Sequence, residues 1–478
     1  MALSTYNAVP LRLVGASGAH RDSSYSNQET MNYRIEAHGS GSHPALLTPW
    51  PGSKSFSTRS ATKPRGIYAW SGKVYKISDQ TLYSYDSLGT ETTIGTIAGT
   101  GRCVMADYRE NLIIATGDKW YQLTGSTLTE FSSPDGTQGN SVAFLSKYAI
   151  FDGSGQTYWV SDFGDPDSIQ SNNFAEGESN GDDLQRIYAF KERVYMFGEK
   201  SIETYTIGTG NPPLTKAVNG TMATGLSDIH TVANSINYVY FRATDGLVYR
   251  FSSNQPINIT SGYLAQKFQS YNKGNAVAWT AEFDGVFYYV INFPDNNATW
   301  AFSEKAGELS PGVNDWIQLS SGSDKDRYIG EMYVRAFNKD LVEKKGSGDI
   351  LELDYTTYTD DGDTVVRVRE TAPIHGGLLG QEGARLEMSW ITIVLKKGAG
   401  TASGDGVDPR LYIQGSFDGS NSYSNQDELE IGRTGESMIK VTWYHVESFY
   451  EAAFKITGYD PVFVSLHGAS IGLKVVGD

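Results

Sequence analysis

The sequence predicts an all-β chain in three parts. Residues 1–60 read as an extended N-terminal arm, 61–360 as a β-propeller of six or seven blades, and 361–478 as a C-terminal antiparallel β-sandwich-like domain. Two observations predict the propeller. Runs of alternating apolar and polar residues, paired across short turns, read as β-hairpins. They recur at intervals of roughly 40 residues, the repeat length of propeller blades. A third observation predicts the sandwich: beyond Asp360-Asp-Gly-Asp363 the strands lengthen and the repeat is lost.

The arm is Ser/Asn/Gly-rich and irregular, closes with Thr48-Pro-Trp-Pro-Gly52, and is expected to dock on another surface or on the body. Hairpins follow. Lys73–Ile77 pairs with Thr81–Tyr85, Asn111–Ala115 with Lys119–Leu123, and Lys147–Phe151 with Thr157–Val160. Arg193–Phe197 pairs with Ser201–Tyr205, Tyr238–Phe241 with Leu247–Phe251, and Val286–Val290 with Ala298–Phe302. A weaker pair joins Glu331–Arg335 to Asp349–Leu353. Each hairpin supplies the inner strands of a four-stranded blade, which must close into a ring to bury both faces. The sandwich strands are Thr364–Arg369, Arg385–Leu395, Arg410–Gln414, Lys440–Tyr444, Ala453–Thr457 and Ser470–Val475, with six to eight strands expected in all. One short helix is expected, at Gly262–Ser270.

Composition agrees with this reading. Hydrophobic residues make up 39% and charged residues 20%, with 52 Gly, 30 Tyr and 20 Phe. Such a mixture suits short strands, tight turns and aromatic packing across sheets, and it excludes a disordered chain. The one cysteine, Cys103, excludes an internal disulfide and reads as a buried small hydrophobe. No basic, apolar leader opens the sequence and no run approaches the ~18 apolar residues of a membrane span, so a soluble protein of a reducing compartment is expected. Net charge is −16 but uneven: Met1 to Lys73 holds 8 Lys+Arg against 3 Asp+Glu. An acidic body would not grip nucleic acid, whose affinity for proteins comes from phosphate neutralisation. The basic leading segment would suit an acidic partner surface or a solvated arm.

A search for chemistry assigns no catalytic, cofactor-binding or metal-ligating residue. There is no Gly-x-Ser-x-Gly elbow, phosphate loop or His-Glu-x-x-His pair. His20, His38, His43, His230, His375, His445 and His467 are scattered singly; His38 and His43, five apart in a Gly/Ser loop, have no nearby carboxylate or thiol to complete a metal site. The acidic stretches Asp162–Asp167, Glu176–Asp183 and Asp360–Asp363 fit turn chemistry better than a calcium loop. Ser416-Phe-Asp-Gly-Ser-Asn-Ser-Tyr423 reads as a hairpin turn, and Glu199 with Glu203 as rim carboxylates rather than a glycosidase pair.

Several segments, taken in order, resemble a family. These are Leu47-Thr-Pro-Trp-Pro-Gly52, Arg65-Gly66, Lys73-Val-Tyr75, Thr81-Leu-Tyr83 and Ala98–Ala106. Phe197–Glu203 with Gly208-Thr-Gly210, Asn292-Phe-Pro294, Thr299-Trp300 and Trp316 follow. Ser416–Gly419, Ile431-Gly432, Trp443 and Asp460-Pro461 complete the series. Together they resemble the tail-hub or nozzle proteins of short-tailed bacteriophages, also called packaged-DNA stabilisation or tail accessory proteins. The long Gly-rich loop at 396–406, the acidic balance and most of the arm depart from the pattern.

The resemblance implies a non-enzymatic virion tail protein, made in the host bacterial cytoplasm. It implies a homo-hexameric ring below the portal and the adaptor (head-to-tail connector). That ring would extend the DNA exit channel, help retain packaged DNA before ejection, and support tail fibres, spikes or a needle. Genomic DNA would pass through the lumen without sequence-specific contacts; no cofactor is implied. The alternatives are a glycan-binding propeller using exposed aromatics such as Trp120, Trp159 and Trp279, or a glycan-cleaving one. The latter needs carboxylates and arginines that converge at the propeller mouth.

Overall fold

The computed structural model describes residues 6–15, 17–19, 27–37, 45–58, 62–177, 181–260, 262–304, 316–398, 404–432 and 438–476. Seven four-stranded antiparallel blades stand around one axis, so the all-β propeller is borne out with seven blades. In blade one, Pro64–Trp70 is the innermost strand, followed outward by Lys73–Ser78, Thr81–Tyr85 and Glu91–Thr96. The innermost strands of blades two to seven are Val104–Tyr108, Val142–Leu145, Leu184–Phe190, Ala233–Asn234, Val277–Phe283 and Gly330–Ala336. Six of the seven expected hairpins are the two middle strands of blades one to six.

A shared local device makes the first turn of most blades. Ser71-Gly72, Lys191-Glu192, Asp284-Gly285 and Phe337-Asn338 all have both residues at positive φ. That backbone twist matches the twist of the flanking strands. Only two of the four carry the glycine that such a turn advertises.

This device explains the one mispaired hairpin. Glu331–Arg335 pairs through the Phe337-Asn338 turn with Lys339–Lys344 (Tyr333 opposite Val342), and Ile350–Asp354 pairs with that second strand instead. Lys339-Asp-Leu-Val-Glu-Lys344 reads as a charged loop, yet Leu341, Val342 and Glu343 are buried.

Of the two expected docking places for residues 1–60 the structure shows the body, and much of the segment forms strands there. Gly52–Ser57 is the fourth strand of blade seven, antiparallel to Ile350–Asp354 with Leu353 opposite Ser53, and it closes the ring. Asn7–Leu11 lies along Val464–Val475, and the hairpin of Tyr33–Ala37 with Ala45–Pro49 extends the same sheet. The physical reason is in the apolar residues: Leu11, Leu13, Met31, Tyr33, Ile35 and Leu47 are all buried, and they outweigh the polar composition between them. Residues 20–26 and 38–44, with His20, His38 and His43, lie outside the described residues.

The C-terminal region is a sandwich of two sheets. One runs Met438–Phe449, Leu386–Lys397, Val464–Val475, Ala45–Pro49, Tyr33–Ala37. The other contains Arg367–Glu370, Glu451–Gly458, Arg410–Ser416 and Asp427–Glu430. Their facing sides share a core that includes Leu47, Ile391, Ile393, Ile413, Phe454 and Leu466. The second sheet continues without a break into blade six. Met31 pairs in parallel with Gln318 of the blade on one side and antiparallel with Val368 of the sandwich on the other. The helix Gly262–Ser270 forms where expected and buries Leu264 and Phe268 against Phe293, Trp300 and Trp316 of blade six.

Candidate functional site

The inner strands surround an axial cavity of 280 Å³, lined from six of the seven blades. Short hydrogen bonds link neighbouring blades around it: the Tyr68 hydroxyl donates to Asp107 Oδ1 at 2.6 Å, and the Tyr188 hydroxyl to Asn234 Oδ1. Thr280 Oγ1 donates to the carbonyl of Asn234 at 2.7 Å. Trp279 stacks on Tyr333 with ring centroids 5.3 Å apart, and the Tyr333 hydroxyl donates to Asp340 at 2.6 Å. Arg186 and His230 also line the cavity. Burial first, and then the fields of Arg186 and Arg102, hold the His230 imidazole well below its usual pKa, so the ring is neutral at neutral pH. Cys103 lies buried at the wall with its thiol pushed up to about 12 by burial, which leaves it unreactive.

Away from the axis, buried arginines clamp the polypeptide. Arg65 donates to the carbonyls of Asp79, Ile97, Ala98 and Gly101, fixing the passage from blade one to blade two. Arg242 pairs with Asp228 at 3.1 Å and donates to the carbonyls of Gly246, Phe268, Tyr271 and Asn272. The Phe268, Tyr271 and Asn272 carbonyls lie at and just beyond the helix C-terminus, where a cation is favoured. Arg369 donates to the Leu13 carbonyl, Thr30 Oγ1 and Gln28 Oε1, and ties the N-terminal segment to the sandwich. Burial pulls its guanidinium down to about 9. A planar fork with five donors suits such carbonyl clusters. Apart from Arg65, already prominent in sequence, these clamps carry no local sequence signal.

The acidic residues singled out from sequence serve structure. Glu203 is buried, not at a rim: its carboxylate accepts from Lys216 Nζ at 2.8 Å and from the Tyr205 hydroxyl at 2.6 Å. Glu199 stays in the turn, accepting a 3.4 Å bond from Gln185. Asp162 caps its own loop by accepting from Ser168 Oγ and Gln170 Nε2. In the stretch 176–183, Asp182 accepts the backbone amides of Lys200 and Ser201, and residues 178–180 lie outside the described residues. Asp418 accepts the amides of Asn421 and Ser422, the hydrogen bonds of a turn, and its carboxyl is lowered to about 2 by the Ser422 and Ser416 contacts.

Asp360 is the exception to the turn reading. Asp361-Gly362 makes the turn, with both φ positive, whereas Asp360 is buried between the closing strand of blade seven and blade six. It accepts from Ser53 Oγ and Ser321 Oγ, and burial raises its carboxyl to about 6. Among the described residues no group of three His, Cys, Asp or Glu side chains is placed to hold a metal ion. Trp120, Trp159 and Trp279 are buried; Trp120 stacks on Phe151 at 4.4 Å and Trp159 packs on Phe174 at 5.1 Å.

Such an arrangement, with ionisable side chains committed to joining blades, loops and domains, defines a structural propeller. A family model described as bacteriophage P22 Gp10, beta-propeller, matches residues 7–358, and the chain belongs to this phage-stabilisation family. The resemblance to tail-hub proteins drawn from the motifs is thereby borne out, and with it a structural role in a phage tail. No curated protein sequence matches. Similar solved structures include the BBS1N chain of a complex with ARL6DN: TM-score 0.42, 12% identity, 64% of this chain and 96% of that one. The Neurospora crassa Pan2 WD40 domain has TM-score 0.42 and 9% identity, over 64% of this chain and 96% of that one. PorZ of Porphyromonas gingivalis has TM-score 0.36 and 13% identity, over 67% of this chain and 39% of that one. Among the described residues no helix is long and apolar enough to cross a membrane.

Proposed function

We propose that the chain is a subunit of a hexameric tail hub or nozzle that prolongs the DNA exit channel of a short-tailed phage virion. The observation that carries this reading is the family match over residues 7–358, which takes in the whole propeller. The fold supports it physically. The N-terminal strands close blade seven, enter the sandwich and bridge the sandwich to blade six, so the two lobes share continuous sheets. A subunit braced in this way transmits load between neighbouring rings without hinging. Six copies of a chain of net charge −16 carry about −96, and acidic walls repel a phosphate backbone, letting DNA slide. Cyclic symmetry would close the ring through heterologous contacts. The adaptor above, and fibres, spikes or a needle below, are the proposed neighbours, with DNA retention the combined effect. The glycan-binding alternative loses its platform, because the three tryptophans it would use are buried.

Mass photometry of the purified chain, alone and with virion adaptor and portal, tests the proposal. Assembly of six 52.3 kDa copies, about 314 kDa, alone or on the adaptor, supports the hub. A monomer that ignores the adaptor at all concentrations refutes it.

A further inference from the structure

We propose that the axial cavity of the propeller is a binding site for a small oxyanion of the phosphate class, held by Arg186. The starting point is how this chain treats the guanidinium groups in its interior, of which that of Arg186 is half-buried. Arg65, Arg242 and Arg369 each direct several N–H groups at named carbonyls, hydroxyls or carboxylates. Arg186 does not. Arg186 lines the cavity, its side chain makes no hydrogen bond or ion pair to the described residues, and its Nε is buried without a partner. A buried donor left unpartnered on a cation is costly, and an anion seated against it removes much of that cost.

The surroundings point the same way. Arg102, one residue before cavity-lining Cys103, places Nη2 on Glu331 and leaves Nη1 buried and unpartnered. Indole Nε1 of Trp279, another lining residue, is also a buried donor without an acceptor. The nearby carboxylates are committed elsewhere. Asp152, whose field reaches Arg186, accepts the amides of Asn140 and Ser141 at 2.9 and 2.7 Å, and Asp107 accepts the Tyr68 hydroxyl. The cavity therefore presents an arginine with an unused buried donor, within 280 Å³. An oxyanion with several acceptor oxygens matches the planar guanidinium fork, and that volume admits a free tetrahedral anion but not a nucleic-acid duplex.

The test uses the full chain and sodium phosphate as probe, against sodium chloride at matched ionic strength. Calorimetric titration and thermal melts should show saturable, phosphate-specific binding with a raised melting midpoint. Arg186→Met should weaken binding about tenfold or more, the scale of a lost charge-assisted contact, and Arg186→Lys should fall between the two. Should Arg186→Met fail to fold, the His230 ring resonances of the unmutated chain decide. A bound anion offsets the neighbouring guanidinium fields, so phosphate should raise the imidazole pKa. A chloride-like response of the unmutated chain, or equal phosphate binding by it and Arg186→Met, overturns the proposal. So does a His230 titration that phosphate leaves unmoved.

Discussion

The ammonium of Lys76 stands 3.7 Å from a carboxylate oxygen of Glu343, and neither side chain reaches solvent. Lys76 belongs to the second strand of blade one and Glu343 to the second strand of blade seven, so the pair spans the junction at which the ring closes. Lys76 also donates to the carbonyl of Asp349 at 3.2 Å. Removing one partner of a buried pair leaves an uncompensated charge, whereas removing both can be neutral. Lys76→Met should therefore destabilise the chain by about 3–5 kcal/mol, and the double variant Lys76→Met/Glu343→Leu should recover most of the loss. Urea denaturation of the two variants and the parent measures this. Additive losses would show that the pair does not couple the blades.

Stability should fall as pH rises from about 4 to 7. Burial raises the Glu343 carboxyl from 4.5 to about 7, and those of Asp152 and Asp360 from 3.8 to about 6. A carboxyl raised in the folded state makes that state bind more protons than the unfolded chain between the two values. Its contribution is complete below the unfolded pKa and is lost as pH passes the folded one. Asp354, lowered to about 2 with Lys54 as a partner, acts in the opposite sense, and only below its unfolded value of 3.8. The urea midpoint should thus be higher at pH 5 than at pH 8, and Glu343→Gln should flatten the difference. A midpoint that climbs over that interval would contradict the assignment.

Most of the propeller is legible in sequence because each blade's middle hairpin is apolar, alternating and local. Val194, Met196 and Tyr205 pack into one core cluster and Tyr195, Phe197 and Ile202 into another, so the period-2 alternation sorts side chains between two buried faces. The failures have one cause, which is that burial is decided by distant partners. Ser53 and Ser55 look like loop residues, and only Leu353 and Leu351, some 300 residues on, make them the closing strand. Glu343 looks solvated until Lys76 is placed beside it. The axial cavity is invisible for the same reason: Arg186, His230 and Trp279 sit in three different blades or their connections and share no motif.

Gly52→Ala should strain this closure. A Cβ at position 52 would lie 2.4 Å from the Thr357 carbonyl oxygen and 2.6 Å from that of Thr359, both backbone atoms that cannot swing aside. Overpacking of this kind costs about 1–3 kcal/mol. The loss should show in thermal melts, together with faster exchange of the Ser55 and Leu351 amides. Gly72→Ala is the control: no atom lies within 4 Å of its added Cβ, so only the positive φ of 71° is penalised.

Deletion of residues 1–45 separates an arm from a core. If the segment were a free arm, the truncated chain would melt like the parent. Instead, the deletion removes Asn7–Leu11, Thr30–Met31 and Tyr33–Ala37, and with them buried Leu11, Leu13, Met31, Tyr33 and Ile35. At about 1.5–3 kcal/mol for each large apolar side chain, the loss is comparable to the roughly 5–15 kcal/mol that holds a whole domain folded. Arg369 would also lose its hydrogen bonds to Leu13, Gln28 and Thr30, and with them the tie between the N-terminal segment and the sandwich. The sandwich should therefore unfold or become protease-sensitive, while Gly52–Ser57 remains to close blade seven. Limited proteolysis should recover a propeller fragment and lose the sandwich. An intact, parent-like sandwich in the truncated chain would mean that these strands contribute nothing to its core.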